Sequence, residues 1–239
     1  MNQDHFGTWP DLGLYVVADG MGGHNAGEVA SQLALDTIRA FLRKSASSDD
    51  FTWPFGVSPT LSFAANRLMT AIKVANRRVF RASEERTEYT GMGTTVVAAI
   101  FEGARISFSG VGDSRIYSFD GSELTQITRD DSWVVMLMKE SGLDASAFEK
   151  HPMRHVLTNV IGARDQVDVH VQEFPVAPGD RLLLCSDGLH EPLGDERMAS
   201  LLADALDARS AAATLVQTAL DRGSRDNVTA LVVAVEDGE

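Results

Sequence analysis

Cysteine is nearly absent from this sequence of 239 residues: Cys185 stands alone inside the apolar run "RLLLCSDG". With no second thiol to pair with, an intramolecular disulfide is excluded, and Cys185 reads as a small hydrophobe packed in a reduced protein. No run of about 18 uncharged apolar residues occurs and no basic segment leads into an apolar stretch at the start, so neither a spanning helix nor a secretory leader is expected. Positive charge is scarce too. The 21 Lys and Arg residues are outnumbered by 34 Asp and Glu, a net charge of −13, which argues against nonspecific contact with nucleic acid or an anionic membrane. These shortages predict a soluble, cytoplasmic monomer. What is present suffices for a sizeable core: 44% of the residues are hydrophobic, and no repeat or linker divides the chain, so one domain over 1–239 is expected.

Hydrophobic spacing places the elements. "LGLYVVADG" (12–20) reads as a buried strand ending in a turn. Apolar residues at Ala30, Leu33, Ala34, Ile38 and Phe41 predict a helix over 26–44, and Phe63, Leu68, Ile72, Ala75, Val79 and Phe80 predict another over 61–85, with a loop at 45–59 between them. Strands are expected at 93–103 and 104–112, then a hairpin over 115–128 that turns at Asp120-Gly121, consecutive strands being antiparallel neighbours. A helix over "SWVVMLMKESG" and an irregular flap at 151–162 follow, the whole of 129–165 being flap-like. Further strands are expected at 166–174, 180–188 and 227–235, with helices at 195–206 and 209–222. This order suggests an α+β protein of two antiparallel sheets covered by helices.

Four aspartates share one placement. Asp19 follows "LYVVA", Asp113 follows "ISFSGVG", Asp187 follows "RLLLCS", and Asp226 precedes "NVTALVVAV", so each sits where an apolar strand stops or starts. If those strands are neighbours, four like charges point into one volume, which is unfavourable without cations. No Lys or Arg is fixed beside all four, and all-oxygen ligation selects Mg²⁺ or Mn²⁺ over zinc. Glycine at 20, 22 and 23 then lets the Gly20 carbonyl turn toward an ion and the chain fold away beneath it. Against this stands plain turn chemistry: Asp-Gly is a common hairpin signal, Asp120-Gly121 reads as one, and for Asp19, Asp187 or Asp226 taken singly the two readings are about even. Their joint occurrence favours the metal site.

At these residues the chain resembles the bacterial branch of the metal-dependent protein phosphatases, the PPM family or type 2C serine/threonine phosphatases. The matching segments are "NQD" (2–4), "VVADGMGGHNAGEVAS" (16–31), "GMGTTVVAAI" (91–100), "VGDSRIYSF" (111–119), "HPMRHVLTNVIG" (151–162), "LLLCSDGLHEPL" (182–193) and "SRDNVTALVV" (224–233), in family order over essentially the whole chain. The resemblance implies a four-layer α-β-β-α sandwich with two Mn²⁺ or Mg²⁺ ions at one end. Asp19 would bridge the ions, the Gly20 carbonyl would complete one, and Asp187 and Asp226 would hold the other. Asp4 would be a direct or water-mediated ligand, and Asp113 with Asp187 would form a weaker third site. A water activated between the ions would hydrolyse phosphoserine or phosphothreonine on proteins modified by a bacterial kinase.

Four positions depart from the family pattern. Its phosphate-clamp arginine, three residues before the motif Asn, has no counterpart because Met1 directly precedes Asn2 and the first strand reads as shortened; either the start is truncated or the enzyme works without the clamp, in which case weaker substrate binding is expected. Gln3 stands where many relatives carry an acid, Met21 where eukaryotic members carry a histidine, and Glu191 where aspartate is usual. Other residues have quieter readings. His151 and His155 have helical metal spacing but are interrupted by Pro152, so flap packing or a surface role is expected. His24 could approach the metals or cap the following helix. Arg115 is expected to pair with an acid, and Ser114, Thr94 and Thr95 to serve as turn and strand residues. Two rival functions share the fold: a phosphoprotein-binding pseudophosphatase without hydrolysis, and a nuclease or phosphodiesterase, which the charge of −13 disfavours.

Overall fold

The computed structural model describes residues 1–23, 25–46, 52–142 and 151–236. In chain order the elements are β1 (Asp4–Trp9), β2 (Leu14–Met21), α1 (Ala26–Ala46), α2 (Phe63–Glu85), β3 (Gly93–Thr94), β4 (Val96–Glu102), β5 (Arg105–Val111), β6 (Arg115–Phe119), β7 (Leu124–Gln126), α3 (Trp133–Ser141), β8 (Val171–Pro175), β9 (Arg181–Cys185), α4 (Asp187–Leu193), α5 (Asp195–Asp204), α6 (Ala208–Asp221) and β10 (Ala230–Ala234). One sheet runs β1-β2-β4-β5-β8 with β3 paired to β2, and the other runs β10-β9-β6-β7. All pairings are antiparallel.

Side chains of a strand point alternately to opposite faces, and here both faces of each sheet are apolar. Leu14, Val16 and Ala18 of β2, with Val96, Ala98 and Ile100 of β4, pack against α1 and α2. Their sequence neighbours Val17, Val97 and Ala99 point the other way, into a core shared with Ile116 of β6, Leu182 and Leu184 of β9 and Leu231 and Val233 of β10. The alternate residues Tyr117, Leu183, Cys185 and Val232 face a third core under α4, α5 and α6. Three apolar layers between four layers of structure make the expected α-β-β-α sandwich. They also explain why the strands read as continuous apolar runs rather than alternating ones. Cys185 is fully buried, as its surroundings in sequence suggest. Tyr117, also fully buried, has its hydroxyl satisfied: it accepts from Arg115 Nη1 at 2.9 Å and donates to Asp195 Oδ1 at 3.1 Å.

Several expected boundaries move. β5 and β6 are not neighbours, because the chain leaves the first sheet at Val111 and enters the second at Arg115. The strand expected at 166–174 begins only at Val171: the Asn159 side chain donates to the Asp168 carbonyl at 2.8 Å and holds the preceding segment off the ladder. The closing strand likewise pairs only from Ala230. Asp187 and Gly188 do not end a strand in a turn; they open α4. Residues 4–9, not assigned to an element from the sequence, form β1 along β2.

Candidate metal centre

The centre follows from the inward-facing rows of the two sheets. In β2 the row Tyr15, Val17 ends with Asp19, so the acid continues the inter-sheet face. Asp19 is therefore within the strand, not at its end; β2 extends to Met21 by exchanging β4 for β3 as partner. β1 sets Asp4 directly opposite Asp19. From the second sheet, the row Leu182, Leu184 continues to Ser186, and the row Val233, Leu231 to Thr229. Ser186 Oγ and Thr229 Oγ1 both donate to Asp4 Oδ2, at 2.8 and 2.7 Å, so two hydroxyls of one sheet grip a carboxylate of the other. Asp187 and Asp226 lie one and three residues beyond these grips.

Asp19 is held through its backbone. Its carbonyl accepts from Thr95 N and Thr94 Oγ1, both at 2.8 Å, and its N–H donates to Thr95 Oγ1 at 3.1 Å. Thr95 Oγ1 in turn shares a hydrogen bond with Ser114 Oγ at 2.7 Å, tying Asp19 to the turn that carries Asp113. The three hydroxyl residues are indeed strand and turn residues, and their task is to orient acids.

At Gly20 the structure adds a steric reason for glycine. A Cβ on Gly20 would stand 2.0 Å from the Gly27 carbonyl oxygen and 2.8 Å from the Gln3 carbonyl oxygen. The residue lets the start of α1 press against the strand. The same holds for Gly188, whose Cβ would meet the Asn227 carbonyl oxygen at 2.0 Å, whereas nothing lies within 4 Å of such an atom on Gly23. We expect Gly20→Ala to cost about 3 kcal/mol, because the obstacles are backbone and must shift together. Thermal melting of the purified variant checks this; an unchanged midpoint refutes the contact.

The electrostatics mark a crowded acid cluster. Burial, then the charges of Asp4, Asp187 and Asp226, push the Asp19 pKa far up. Asp187 is raised by burial and by Asp226 and Glu191. Asp113 is raised to about 7 by burial, then by Asp187, Asp130 and Glu191. Asp4, Asp19, Asp187 and Asp226 thus form one group, and Asp113 and Glu191 join it through Asp187. Gly20 sits beside them, buried in β2 opposite Thr94. Among the described residues no group of three or more His, Cys, Asp or Glu side chains is arranged to hold a metal ion. Yet Asp4 Oδ1 and Asp187 Oδ1 are buried and accept no hydrogen bond. Orphaned carboxylate oxygens beside like charges are the donor set a hard divalent cation satisfies, so these residues fit Mn²⁺ or Mg²⁺.

Of the remaining described candidates, His155 borders this group through Glu191. Arg115 makes a three-contact pair with Asp130, the shortest 2.8 Å, as expected for a structural ion pair. His151 stacks near Trp133, with ring centroids 4.6 Å apart, while His155 Nδ1 lies 3.2 Å from Glu191 Oε1, so the two histidines serve different partners. His24 lies outside the described residues. Burial lowers the His190 pKa to about 4; its Nε2 lies 3.1 Å from the Asp113 carbonyl oxygen. A groove of about 560 Å³ opens onto Asp187 and Asp226 and is lined by Arg154 and Arg225, cations that the sequence reading passed over. It also passed over Ser186, Thr229 and Asn227. The last accepts from Gln3 N at 2.7 Å and joins the Asp226 loop to the start of β1. Period-2 phasing of the β9 and β10 rows points to the two hydroxyls.

Comparison with known proteins agrees with this geometry. A serine/threonine protein phosphatase PstP of Mycobacterium tuberculosis is 35% identical over 94% of this chain, which spans about 40% of that protein's length. A serine/threonine phosphatase stp of Listeria monocytogenes is 30% identical over 97% of this chain and 89% of its own. The crystal structure of the PstP catalytic domain in complex with two manganese ions superposes with a TM-score of 0.80, at 34% identity, covering 99% of this chain and 93% of that one. The family model for protein phosphatase 2C matches residues 1–223. The family model covers most of the chain and the relatives nearly all of it, and the chain belongs to the protein phosphatase 2C family.

Proposed function

We propose that this chain is a single-domain, divalent-metal-dependent protein phosphatase that hydrolyses phosphoserine and phosphothreonine on substrates of a serine/threonine kinase. The observation that carries this reading is the convergence of Asp4, Asp19, Asp187 and Asp226, from both sheets, with two buried oxygens left unpaired. Asp19, Asp187 and Asp226, with the Gly20 carbonyl, would hold two Mn²⁺ or Mg²⁺ ions. Asp4 would assist, and Asp113 with Asp187 and Glu191 would offer a third position. When bound, such ions supply Lewis-acid activation of water and neutralise charge on a phosphoryl group.

The chain's own residues do the rest. Arg154 and Arg225 line the groove over Asp187 and Asp226 and give a phosphate dianion a cationic approach. Ser224, the hydroxyl residue among the described residues of that groove, donates to the Gly188 carbonyl at 2.9 Å and is spoken for structurally. The buried, unpaired Cys185 suits a reducing, cytoplasmic setting. The test is turnover of p-nitrophenyl phosphate and of a phosphothreonine peptide with Mn²⁺ and with EDTA. Turnover is expected with Mn²⁺ only; a folded, Mn²⁺-supplied protein that cleaves neither overturns the reading.

A further inference from the structure

The outer face of α2 concentrates the positive charge the rest of the chain lacks. Five of the 21 basic residues, Lys73, Arg77, Arg78, Arg81 and Arg86, fall within 73–86. Lys73, Arg77 and Arg81 recur every four residues and so share one stripe of the helix. The arginines border a groove of about 790 Å³ between α2 and the first half of α1. Its floor is apolar, with Val29 and Leu33 from α1 and Val74 and Ala82 from α2. Phe55 and Tyr89 stand at its sides, under the guanidinium groups of Arg77 and Arg86 at 4.4 and 5.4 Å from the ring centroids.

This cluster is poorly neutralised. Among the described residues Arg77, Arg78 and Arg81 have no carboxylate partner, and Arg86 reaches only the exposed Glu88, at 3.8 Å. Among the described residues Glu85 is the one acid lining the groove. Arginines left unpaired around an apolar floor, in a protein of net charge −13, are poised for a ligand that brings carboxylates and a hydrophobic side chain together.

We propose that this groove docks an acidic segment of a protein partner, an apolar side chain entering over Val29, Leu33 and Val74 while flanking carboxylates meet Arg77, Arg78 and Arg81. A short segment confines its charge to the patch. A bilayer or a nucleic-acid duplex would extend its charge beyond the patch, onto the acidic remainder of the surface. The groove also lies at the metal-centre end of the molecule. Tyr89 is four residues before Gly93, which pairs with Met21, and Val29 follows Gly27, which abuts Gly20. A partner anchored there holds its phosphorylated residue near the acids at a raised effective concentration. That consequence rests on the phosphatase reading; the docking itself does not.

The experiment uses the full chain and a fluorescent peptide carrying Leu and Phe between runs of Asp and Glu, read by anisotropy with Mn²⁺ and with EDTA. Binding is expected under both conditions, and Arg78→Glu with Arg81→Glu should weaken it about tenfold, equivalent to about 1.4 kcal/mol. Arg78→Gln with Arg81→Gln, which removes charge without reversing it, should give a smaller loss and guards against misfolding of the first variant. Turnover of p-nitrophenyl phosphate should stay unchanged in both, while KM for a phosphothreonine peptide with the acidic extension rises and KM for the unextended peptide does not. Equal affinity in wild type and variants overturns the proposal, as does binding of anionic phospholipid vesicles without binding of the peptide. A wild-type chain that binds the peptide yet hydrolyses nothing sinks the phosphatase reading and leaves the docking site standing.

Discussion

Asp19→Asn is expected to lose about 10³-fold or more in Mn²⁺-dependent turnover of a phosphothreonine peptide, and in EDTA to melt at a higher temperature than the wild type. The two halves have one cause. Asp19 faces Asp4 across the β1–β2 pair and feels Asp187 and Asp226, with burial the largest influence on its carboxyl. At neutral pH the metal-free fold must hold a proton on Asp19 that the unfolded chain has lost; an amide of the same shape avoids that cost, which relieves the metal-free protein by on the order of 2 kcal/mol. It also removes the carboxylate that, on the proposed reading, would serve both ions. The backbone contacts to Thr94 and Thr95 do not involve the side chain, so the strand stays in place. Stability gained where activity is lost is the signature of a site kept under strain for function. Steady-state kinetics and thermal melting on the same preparation decide it. Retained turnover, or a drop in the EDTA midpoint like that expected of Gly20→Ala, contradicts this placement of Asp19.

Much of this arrangement was legible in the residues, and the gaps have physical reasons. The helices of 26–46 and 63–85 show in the spacing of Ala30, Leu33, Ala34, Ile38 and of Leu68, Ile72, Ala75, Val79, because each buries a single stripe. The acids stood out because charge at the end of an apolar strand is conspicuous. Which sheet a strand joins was not legible. The chain passes from β5 to β6 through only Gly112, Asp113 and Ser114, and a connection that short reads as a hairpin although it crosses between sheets. The helix at Asp187 was hidden because "SDGLHEPL" pairs an Asp-Gly turn signal with Pro192. For Ser186 and Thr229 the period-2 phase of the rows shows only which face each hydroxyl is on, not what it meets. Their role exists only once the opposite sheet brings Asp4 within 2.8 Å.

Metal removal should make stability fall with rising pH, and metal addition should cancel the fall. Asp113 is raised from an ordinary 3.8 to about 7, so the folded state holds a proton there that the unfolded chain has lost. Its contribution is full below 3.8 and is lost as pH rises through about 7; Asp19 and Asp187, raised for the same reasons, act in the same direction. His190 acts oppositely. Lowered from 6.5 to about 4, it contributes stability that is full above 6.5 and lost as pH falls toward 4. Between 4 and 6.5 His190 cancels only part of the carboxylate slope, and above 6.5 the carboxylate loss is unopposed. The melting midpoint in EDTA is expected to decline from pH 6.5 to about 8.5. Mn²⁺ binds carboxylates only after their protons leave, so its uptake releases protons, and more of them at pH 6 than at pH 8. At a hundredfold excess over Kd each ion adds about 2.7 kcal/mol, roughly 5–10 °C for a chain of this size. Melting curves across this range with EDTA and with Mn²⁺, and calorimetry in buffers of different ionisation enthalpy, measure both effects. Parallel pH profiles with and without Mn²⁺, or uptake that releases no proton at pH 6, would show that the ions do not bind at these acids.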